Sequence, residues 1–223
     1  MYFLNKPVGV AVSVDKSLKK AKESLATVKI KEKIGKEIII LAASKTFPKE
    51  DILTCKQAGI HNFGENYIQE AEEKFENISG IKKHFIGHLQ TNKVNKAVKI
   101  FDVIQTIDSL KIAERINEEA RLLKKCIHCF IEVNFAKEKT KFGISSEDTI
   151  DFISKLKKFQ NINVVGLMTM APKENFKGIK EFFDKTGLKY LSMGMSDDYI
   201  EAIKKGSNMI RLGRAIFGER LKK

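Results

Sequence analysis

The sequence predicts an α/β fold, a single (β/α)8 TIM barrel with an extra N-terminal helix. Along its 223 residues, short apolar runs of strand length alternate with amphipathic segments of helical period. Eight such strand segments occur, each preceded by a helical one, and short loops join them. Repeated βα units predict parallel strands with right-handed crossovers. Eight units in one domain favour a closed barrel, whereas an open doubly wound sheet more often has about six strands.

The first helix is predicted over Asp15–Glu32, because Leu18, Ala21, Leu25 and Val28 recur at helical spacing. No linker or break in composition divides the chain. We therefore expect one domain over residues 1–223, in which residues 1–35 form an N-terminal extension and the first helix.

The first strand is predicted within Glu37–Lys45, an apolar, β-branched run typical of a strand buried on both faces, and Pro48 marks the start of the next helix. Further strands are predicted near Ile60–Phe63, His84–Gly87, Phe101–Thr106, Ile127–Asn134, Val164–Met170, Tyr190–Gly194 and Met209–Leu212. Helices are predicted between them, near Asn66–Phe75, Asn92–Val98, Ser109–Leu123, Glu147–Lys158, Glu174–Lys185 and Asp197–Lys204.

Composition narrows the class of protein. The net charge is +13, but the basic residues are mostly lysines interleaved with acids along the whole chain, which favours a solvated surface over a nucleic-acid site. The apolar stretches, such as Ile38–Ala43, are far shorter than the ~20 residues that span a bilayer, so no membrane association is expected. Three cysteines and no signal-peptide pattern predict a reducing, cytoplasmic location.

Two features predict a site at the carboxyl ends of the strands, where barrel enzymes carry their chemistry. Lys45 ends an apolar strand, and desolvation there would lower its pKa and favour the neutral amine that forms a Schiff base; a lysine snorkelling from a strand end is the alternative. Ser196 and Gly213 follow the last two predicted strands, where barrels often bind phosphate. Ser196 could equally be an N-cap, because Asp197 follows it. A reactive lysine and a phosphate site in one mouth together suggest pyridoxal 5′-phosphate (PLP).

Five segments strengthen this interpretation, and they occur in order over most of the chain: ASKTFP (Ala43–Pro48), FGENYIQEA (Phe63–Ala71), HFIGHLQTNKV (His84–Val94), GMSDDY (Gly194–Tyr199) and IRLGRAIFGER (Ile210–Arg220). Together they resemble the pyridoxal phosphate homeostasis (YggS/PROSC) family. The resemblance implies the fold of the N-terminal barrel of alanine racemase, with PLP held covalently on Lys45.

The same resemblance implies the remaining cofactor contacts. Ser196, with the backbone at Gly213 and Arg214, would hold the phosphate. Arg211 would face the pyridine nitrogen, and Asn66 would lie beside the ring. Arg214 stands where many members have a small Ser or Thr, so a hydroxyl contact to the phosphate would be lost there.

The function implied is a cytoplasmic PLP-binding protein that buffers or delivers PLP and maintains vitamin B6 and amino-acid homeostasis without robust catalysis. No catalytic residue and no metal ligand is assigned. Apo-PLP enzymes are candidate partners, and a self-contained barrel suggests a monomer. Lys141, which the resemblance places near the barrel mouth, is a candidate anion contact.

An alternative is a PLP-dependent amino-acid racemase. The sequence ends at Lys223, just after the eighth unit, whereas alanine racemase has a further β domain whose tyrosine is the second acid/base group. A site with one base cannot easily remove a proton from one face and return it to the other. A nucleic-acid binder is a third interpretation, and it rests on charge alone.

Overall fold

The computed structural model describes residues 22, 24–35, 37–136 and 142–219. Within them, eight strands form a closed barrel in which each strand pairs in parallel with the next and the last pairs with the first. The strands are β1 (Ile39–Ala43), β2 (Asn62–Glu65), β3 (Lys82–Phe85), β4 (Val103–Ile107), β5 (Ile127–Glu132), β6 (Ile162–Met168), β7 (Tyr190–Ser192) and β8 (Met209–Leu212).

Helices connect the strands around the outside of the barrel. They are α1 (24–33), α2 (Lys49–Gln57), α3 (Ile68–Phe75), α4 (Val94–Ile100), α5 (Leu110–Leu122), α6 (Ser146–Leu156), α7 (Phe176–Thr186), α8 (Tyr199–Lys204) and α9 (Arg214–Phe217). Short 3-10 turns at Thr91–Lys93 and Lys173–Asn175 precede α4 and α7. No helix among these described residues is long and apolar enough to cross a membrane.

The predicted (β/α)8 barrel is confirmed, with shifts at several element boundaries. β3 covers Lys82–Phe85 rather than His84–Gly87, because its ladder with β2 pairs Asn62 with Lys82 and Glu65 with Phe85. β2 covers Asn62–Glu65 rather than Ile60–Phe63, because the apolar run that predicted it begins two residues before the first residue that pairs with β1. The short helix α9 after β8 is an addition to the predicted elements.

The described part of the first helix, α1 (24–33), presents a different side to the barrel from the predicted one. Leu25 and Val28 are 54% and 43% exposed, whereas Thr27 and Ile30 are buried. Thr27 and Ile30 lie two positions after Leu25 and Val28, respectively. At 100° per residue, the face that contacts the barrel is therefore rotated by about 200° from the predicted face. Leu18 and Ala21 of the predicted face lie outside the described residues.

Most of the hydrophobic core lies between the barrel and the surrounding helices. Phe85 on β3 contacts Phe101 edge-on with ring centroids 5.2 Å apart, and Phe101 contacts Phe75 of α3 at 6.2 Å. Each such fully buried side chain contributes about 1.5–3 kcal/mol relative to exposure. This outer layer fixes the strands and therefore the loops that follow them.

The inside of the barrel changes from apolar to polar along the strands. A small buried cluster of Val103, Phe130, Met168 and Met209, with Tyr190 packed against it, fills the middle of the barrel. Because side chains alternate between the two faces of a strand, the next inward position lies two residues further on. On β4, β5, β7 and β8 that position holds Gln105, Glu132, Ser192 and Arg211, all buried. The barrel therefore presents polar groups towards its carboxyl-terminal mouth.

Candidate functional site at the carboxyl end of the barrel

The residues predicted to bind a cofactor are carried by four strands that are neighbours in the barrel. Lys45 lies two residues after the end of β1, Asn66 follows β2, Ser196 lies in the loop after β7, and Arg211 is on β8. The order around the barrel is β7, β8, β1, β2, and the closing ladder pairs Leu41 of β1 with Arg211. Barrel closure thus brings residues from both ends of the sequence into one sector.

The backbone on both sides of Lys45 is held by two side chains of α3. The ammonium of Lys74 donates to the carbonyl oxygen of Ser44 at 3.0 Å, and the N–H of Thr46 donates to Glu70 Oε2 at 2.9 Å. Thr46 has a φ of 70°, which is uncommon for a β-branched residue and requires surrounding structure to maintain it. The turn that carries Lys45 is therefore fixed from α3.

A buried carboxylate connects this turn to α3. Glu65 accepts hydrogen bonds from Ser44 Oγ at 2.8 Å and from Lys74 Nζ at 3.0 Å. Burial raises the pKa of Glu65, and the nearby Lys74 charge opposes that rise. Its second oxygen, Oε2, is buried and has no hydrogen-bond partner among the described residues.

Asn66 is positioned by a close approach of two loops. A Cβ on Gly87 would clash with the carbonyl oxygen of Asn66, so only glycine fits there. Thr106 Oγ1 donates to the carbonyl oxygen of Gly87 at 2.6 Å and fixes that loop. The side-chain oxygen of Asn66 is itself buried, and no described residue donates a hydrogen bond to it.

Ser196 connects the loop after β7 to the start of α9. Gly194 turns this loop with a φ of +96°, and a Cβ there would lie 2.5 Å from that of Ala202. Ser196 Oγ accepts a hydrogen bond from the N–H of Ala215 at 3.2 Å. It does not cap α8, where Asp198 occupies the N-cap position. None of the described residues accepts a hydrogen bond from this hydroxyl, so the Ser196 proton is available to a ligand, since a hydroxyl donates once and accepts twice.

Gly213 and Arg214 continue β8 into α9. The guanidinium of Arg214 pairs with Asp197 and with Glu219, the latter at 3.5 Å, so its side chain bridges two surface loops. Gly213 lies against the end of β1, where an added Cβ would be 3.5 Å from the carbonyl oxygen of Ala43. These contacts leave the backbone, rather than the Arg214 side chain, as the group that can face the mouth.

Arg211 is buried inside the barrel and fixed by three hydrogen bonds. Its Nη1 donates to the carbonyl oxygen and to Oγ of Ser192 at 2.7 and 2.9 Å, and its Nη2 donates to the carbonyl oxygen of Thr169 at 2.8 Å. Burial lowers its pKa to about 10, and the charges of Glu132 and Asp198 oppose that shift. Arg211 is therefore a cation at neutral pH. Because a guanidinium has five N–H donors, these three hydrogen bonds leave donors that can bind a ligand.

A directed chain of hydrogen bonds runs from Arg211 down the inside of the barrel. Ser192 Oγ donates to Gln105 Oε1 at 2.8 Å, and Gln105 Nε2 donates to His84 Nδ1 at 3.0 Å. His84 Nε2 then donates to Asn62 Oδ1 at 3.1 Å. Burial, aided by the charges of Lys82 and His128, lowers the pKa of His84 to about 3. A neutral imidazole has one donor and one acceptor, as this chain requires.

Carboxylates line the opposite side of the mouth. Burial, together with the nearby Asp108, raises the pKa of Glu132 to about 7, while Arg211 opposes the rise. Burial also raises the pKa of Asp108, whose Oδ2 lies 3.7 Å from His88 Nδ1. The mouth therefore combines a fixed cation with a carboxyl group that titrates near neutral pH.

Other polar motifs of the sequence do not converge on a metal-type site. His84 uses both ring nitrogens in the chain described above, and His88 stacks on Phe142 with centroids 3.6 Å apart. Cys126 is exposed and precedes β5, whereas Cys129 is buried on it. Among the described residues, no three His, Cys, Asp or Glu side chains are grouped as metal ligands. Lys141 lies outside the described residues.

Sequence reasoning missed the residues that hold the predicted ones in place. Glu132, Gln105, Ser192 and Thr169 line or support the mouth, and Lys74 holds the Lys45 turn. The sequence alone could have indicated Glu132, because it is the only acid in the apolar run of β5 and an acid is rarely buried without a role.

The sequence profile of the alanine racemase N-terminal domain matches residues 29–221. Fold, profile and site thus define a barrel of the alanine racemase N-terminal class. Within that class, curated relatives named pyridoxal phosphate homeostasis protein share 38% identity over 200 residues in Pasteurella multocida and 34% over 204 residues in Escherichia coli (strain K12). These matches cover 81% and 82% of this chain and 86% of each relative. The chain belongs to the pyridoxal phosphate homeostasis protein family.

Solved structures agree with this assignment. PipY of Synechococcus elongatus, determined with PLP bound, has a TM-score of 0.81 and 28% identity, and the match covers 88% of this chain and all of PipY. The alanine racemase of Clostridium difficile 630 has a TM-score of 0.75 at 18% identity over 91% of this chain and 58% of the racemase. At that identity the racemase shows a shared fold only.

Lys74→Met should destabilise the protein by about 3–5 kcal/mol, because it leaves the Glu65 carboxylate buried without its ion-pair partner. Lys96→Met is the matched control. Lys96 pairs with Glu72 at the surface, where such a pair contributes at most about 1 kcal/mol. Urea unfolding of both variants gives the comparison. Equal losses in the two variants would contradict the role assigned to Lys74.

Proposed function

We propose that this protein binds PLP as a Schiff base on Lys45, and that it buffers or delivers the cofactor to maintain vitamin B6 and amino-acid homeostasis. The observation that carries the proposal is the convergence of the Ser196 loop, Arg211 and the Lys45 turn on three consecutive strands, β7, β8 and β1, at one mouth. The naming of its relatives and the PLP held by PipY support the same function.

The residues of the mouth fit the chemistry of the cofactor. Asn66 Oδ1 and Thr169 Oγ1 are buried without a hydrogen-bond partner among the described residues, which is typical of a site prepared for a polar ligand. When bound, PLP supplies an aldehyde that reacts with an amine and a ring that withdraws electrons. Arg211, fixed and charged, would face the ring nitrogen.

The phosphate would be held between the last two strand ends. Ser196 has a hydroxyl proton to donate, and the backbone at Gly213 and Arg214 lies in the next loop. The ion pairs of Arg214 with Asp197 and Glu219 support a backbone contact rather than a side-chain one. Asn66 would lie beside the ring, after β2.

Robust catalysis is not part of the proposed function. Arg211 remains protonated at neutral pH, so a ring nitrogen that accepts from it stays unprotonated and withdraws electrons less strongly. The described tyrosines offer no clear second acid/base group. Tyr67 is 58% exposed, Tyr190 lines the other end of the barrel, and Tyr199 packs against the core. Tyr2 lies outside the described residues.

The cellular setting is part of the same proposal. Cys55, Cys126 and Cys129 are free thiols, which supports a reducing cytoplasm. We expect a monomer whose partners are PLP and the apo-enzymes that use it. A role for Lys141 as an anion contact stays a prediction.

Lys45→Ala should abolish the visible absorbance that PLP acquires on binding, because no other amine would meet the aldehyde. The band of the unaltered protein should disappear on borohydride reduction and leave Lys45 as the modified residue in a peptide map. Lys93→Ala, which removes a lysine near the same mouth, should keep the band. A band that persists in Lys45→Ala would assign the Schiff base to another lysine.

Ser196→Ala should weaken PLP by about 10- to 150-fold, since hydrogen bonds to charged groups contribute about 1.5–3 kcal/mol. Pyridoxal, which has no phosphate, should bind much more weakly to the unaltered protein and should be insensitive to this substitution. Equilibrium dialysis measures the affinities of PLP and of pyridoxal for the unaltered protein and for Ser196→Ala. A loss of equal size for PLP and pyridoxal would show that Ser196 does not contact the phosphate.

L- and D-alanine incubated with the PLP-loaded protein in heavy water should show no rapid inversion. Slow exchange of one Cα proton through Lys45 is compatible with the proposal, because it requires only one base. Chiral chromatography and mass spectrometry separate inversion from exchange. Inversion at ~1–1000 per second, the range of ordinary enzymes, would establish the racemase alternative instead.

A further inference from the structure

The opposite, amino-terminal mouth of the barrel contains a cavity of about 270 Å³. All eight strands or the residues beside them contribute to its wall, so it is the open end of the barrel rather than a surface crevice. The lining residues are Ile39, Asn62, Lys82, His84, Val103, His128, Phe130, Asn163, Val165, Lys189, Tyr190 and Met209. Its volume lies just below the ~300–1,000 Å³ typical of small-molecule sites.

Two lysines from opposite sides of the barrel face this cavity. Lys82 begins β3, and Lys189 directly precedes β7. Among the described residues the Lys82 ammonium has no ion-pair partner, and the Lys189 ammonium lies 5.1 Å from the ring centroid of Tyr190. No described residue lining the cavity is an Asp or Glu. The cavity thus concentrates positive charge without a counter-charge.

Neighbouring groups respond to this charge. Burial first, and the charge of Lys82 second, lowers the pKa of both His84 and His128. Asp102 offsets part of that effect at His128 from beside the cavity, where its carboxylate accepts from the N–H of Lys83. A bound anion would offset the repulsion between the Lys82 charge and a protonated His128. His84 is not itself a ligand, because Asn62 and Gln105 already use both of its ring nitrogens.

The inner wall of the cavity is apolar and aromatic. Phe130 and Tyr190 lie nearly parallel, with ring centroids 6.1 Å apart and planes inclined by 24°. Phe130 belongs to the small core cluster that also contains Val103 and Met209, and Tyr190 packs against that cluster. A ligand that enters past the lysines would therefore bury a hydrophobic or planar body against these side chains.

We propose that this mouth is a second binding site, for a small organic anion. Lys82, Lys189 and His128 would bind its phosphate or carboxylate group. The planar or aliphatic body would lie against Phe130 and Tyr190. This site is separate from the proposed PLP site, because it is formed by the opposite ends of the strands.

Phenyl phosphate combines both features and is the probe for this site. The protein has four histidines, so proton–carbon correlation NMR can follow each imidazole separately after assignment with His→Gln variants. His128 reports on the amino-terminal mouth, and His88 reports on the carboxyl-terminal one. We expect saturable shifts of the His128 signal and a raised His128 pKa. The affinity should be the same for the protein without PLP and for protein in which PLP has been fixed by borohydride reduction and the excess removed.

Two ligand controls separate the parts of the proposal. Inorganic phosphate should bind more weakly than phenyl phosphate, because it does not cover Phe130 and Tyr190. Benzyl alcohol, which is uncharged, should not give saturable shifts. Equal binding of the two phosphates would contradict the role of the apolar wall, and equal binding of benzyl alcohol would contradict the role of charge.

Protein variants test the site itself. Lys82→Gln and Lys189→Gln remove exposed side chains, and each should weaken phenyl phosphate about tenfold, as expected for one charge-assisted contact. Lys83→Gln removes the same charge one residue away, on the outer face of β3, where its ammonium lies 6.0 Å from the Phe75 ring centroid. That variant should bind normally. The proposal is overturned if Lys83→Gln weakens binding equally, or if only the His88 signal responds, which would assign the anion to the other mouth.

Discussion

A cation buried inside a closed barrel must be satisfied by fixed acceptors, and the interior of this protein is organised around that requirement at Arg211. Its partners, Ser192 and the carbonyl oxygen of Thr169, belong to the ends of neighbouring strands. Ser192 is satisfied in turn by Gln105, and Gln105 by His84. A one-residue slip of any of these strands would turn its side chain outward. The same chain of bonds therefore fixes both strand register and the direction of the guanidinium.

Lys45 is positioned by different means. A lysine side chain is flexible, so the structure controls the backbone from which it projects. α3 supplies that control through Lys74 and Glu70, and Glu65 holds the two elements together. The site thus combines one rigid buried cation with one movable amine on a fixed turn. This combination suits a ligand that must be held at one end and bonded covalently at the other.

The two mouths of the barrel differ in charge because each is lined by a different set of inward-facing residues on the same strands. At the carboxyl end, the acidic side chains of Glu132 and Asp108 accompany Arg211. Burial, together with the nearby Asp108, raises the pKa of Glu132 to about 7. At the amino end, Lys82 and Lys189 have no acid among the described lining residues. The small apolar cluster around Phe130 separates the two regions.

The sequence by itself determined the barrel, through the alternation of apolar runs and amphipathic helices, and it located Lys45, Ser196 and Arg211 through local motifs and their places after strands. These signals are local, since strand and helix periods depend on neighbours in the chain. Only the tertiary structure decided that Gln105 supports Arg211 and that α1 buries Ile30 rather than Val28. Such contacts join residues far apart in sequence, so neighbours in the chain cannot specify them.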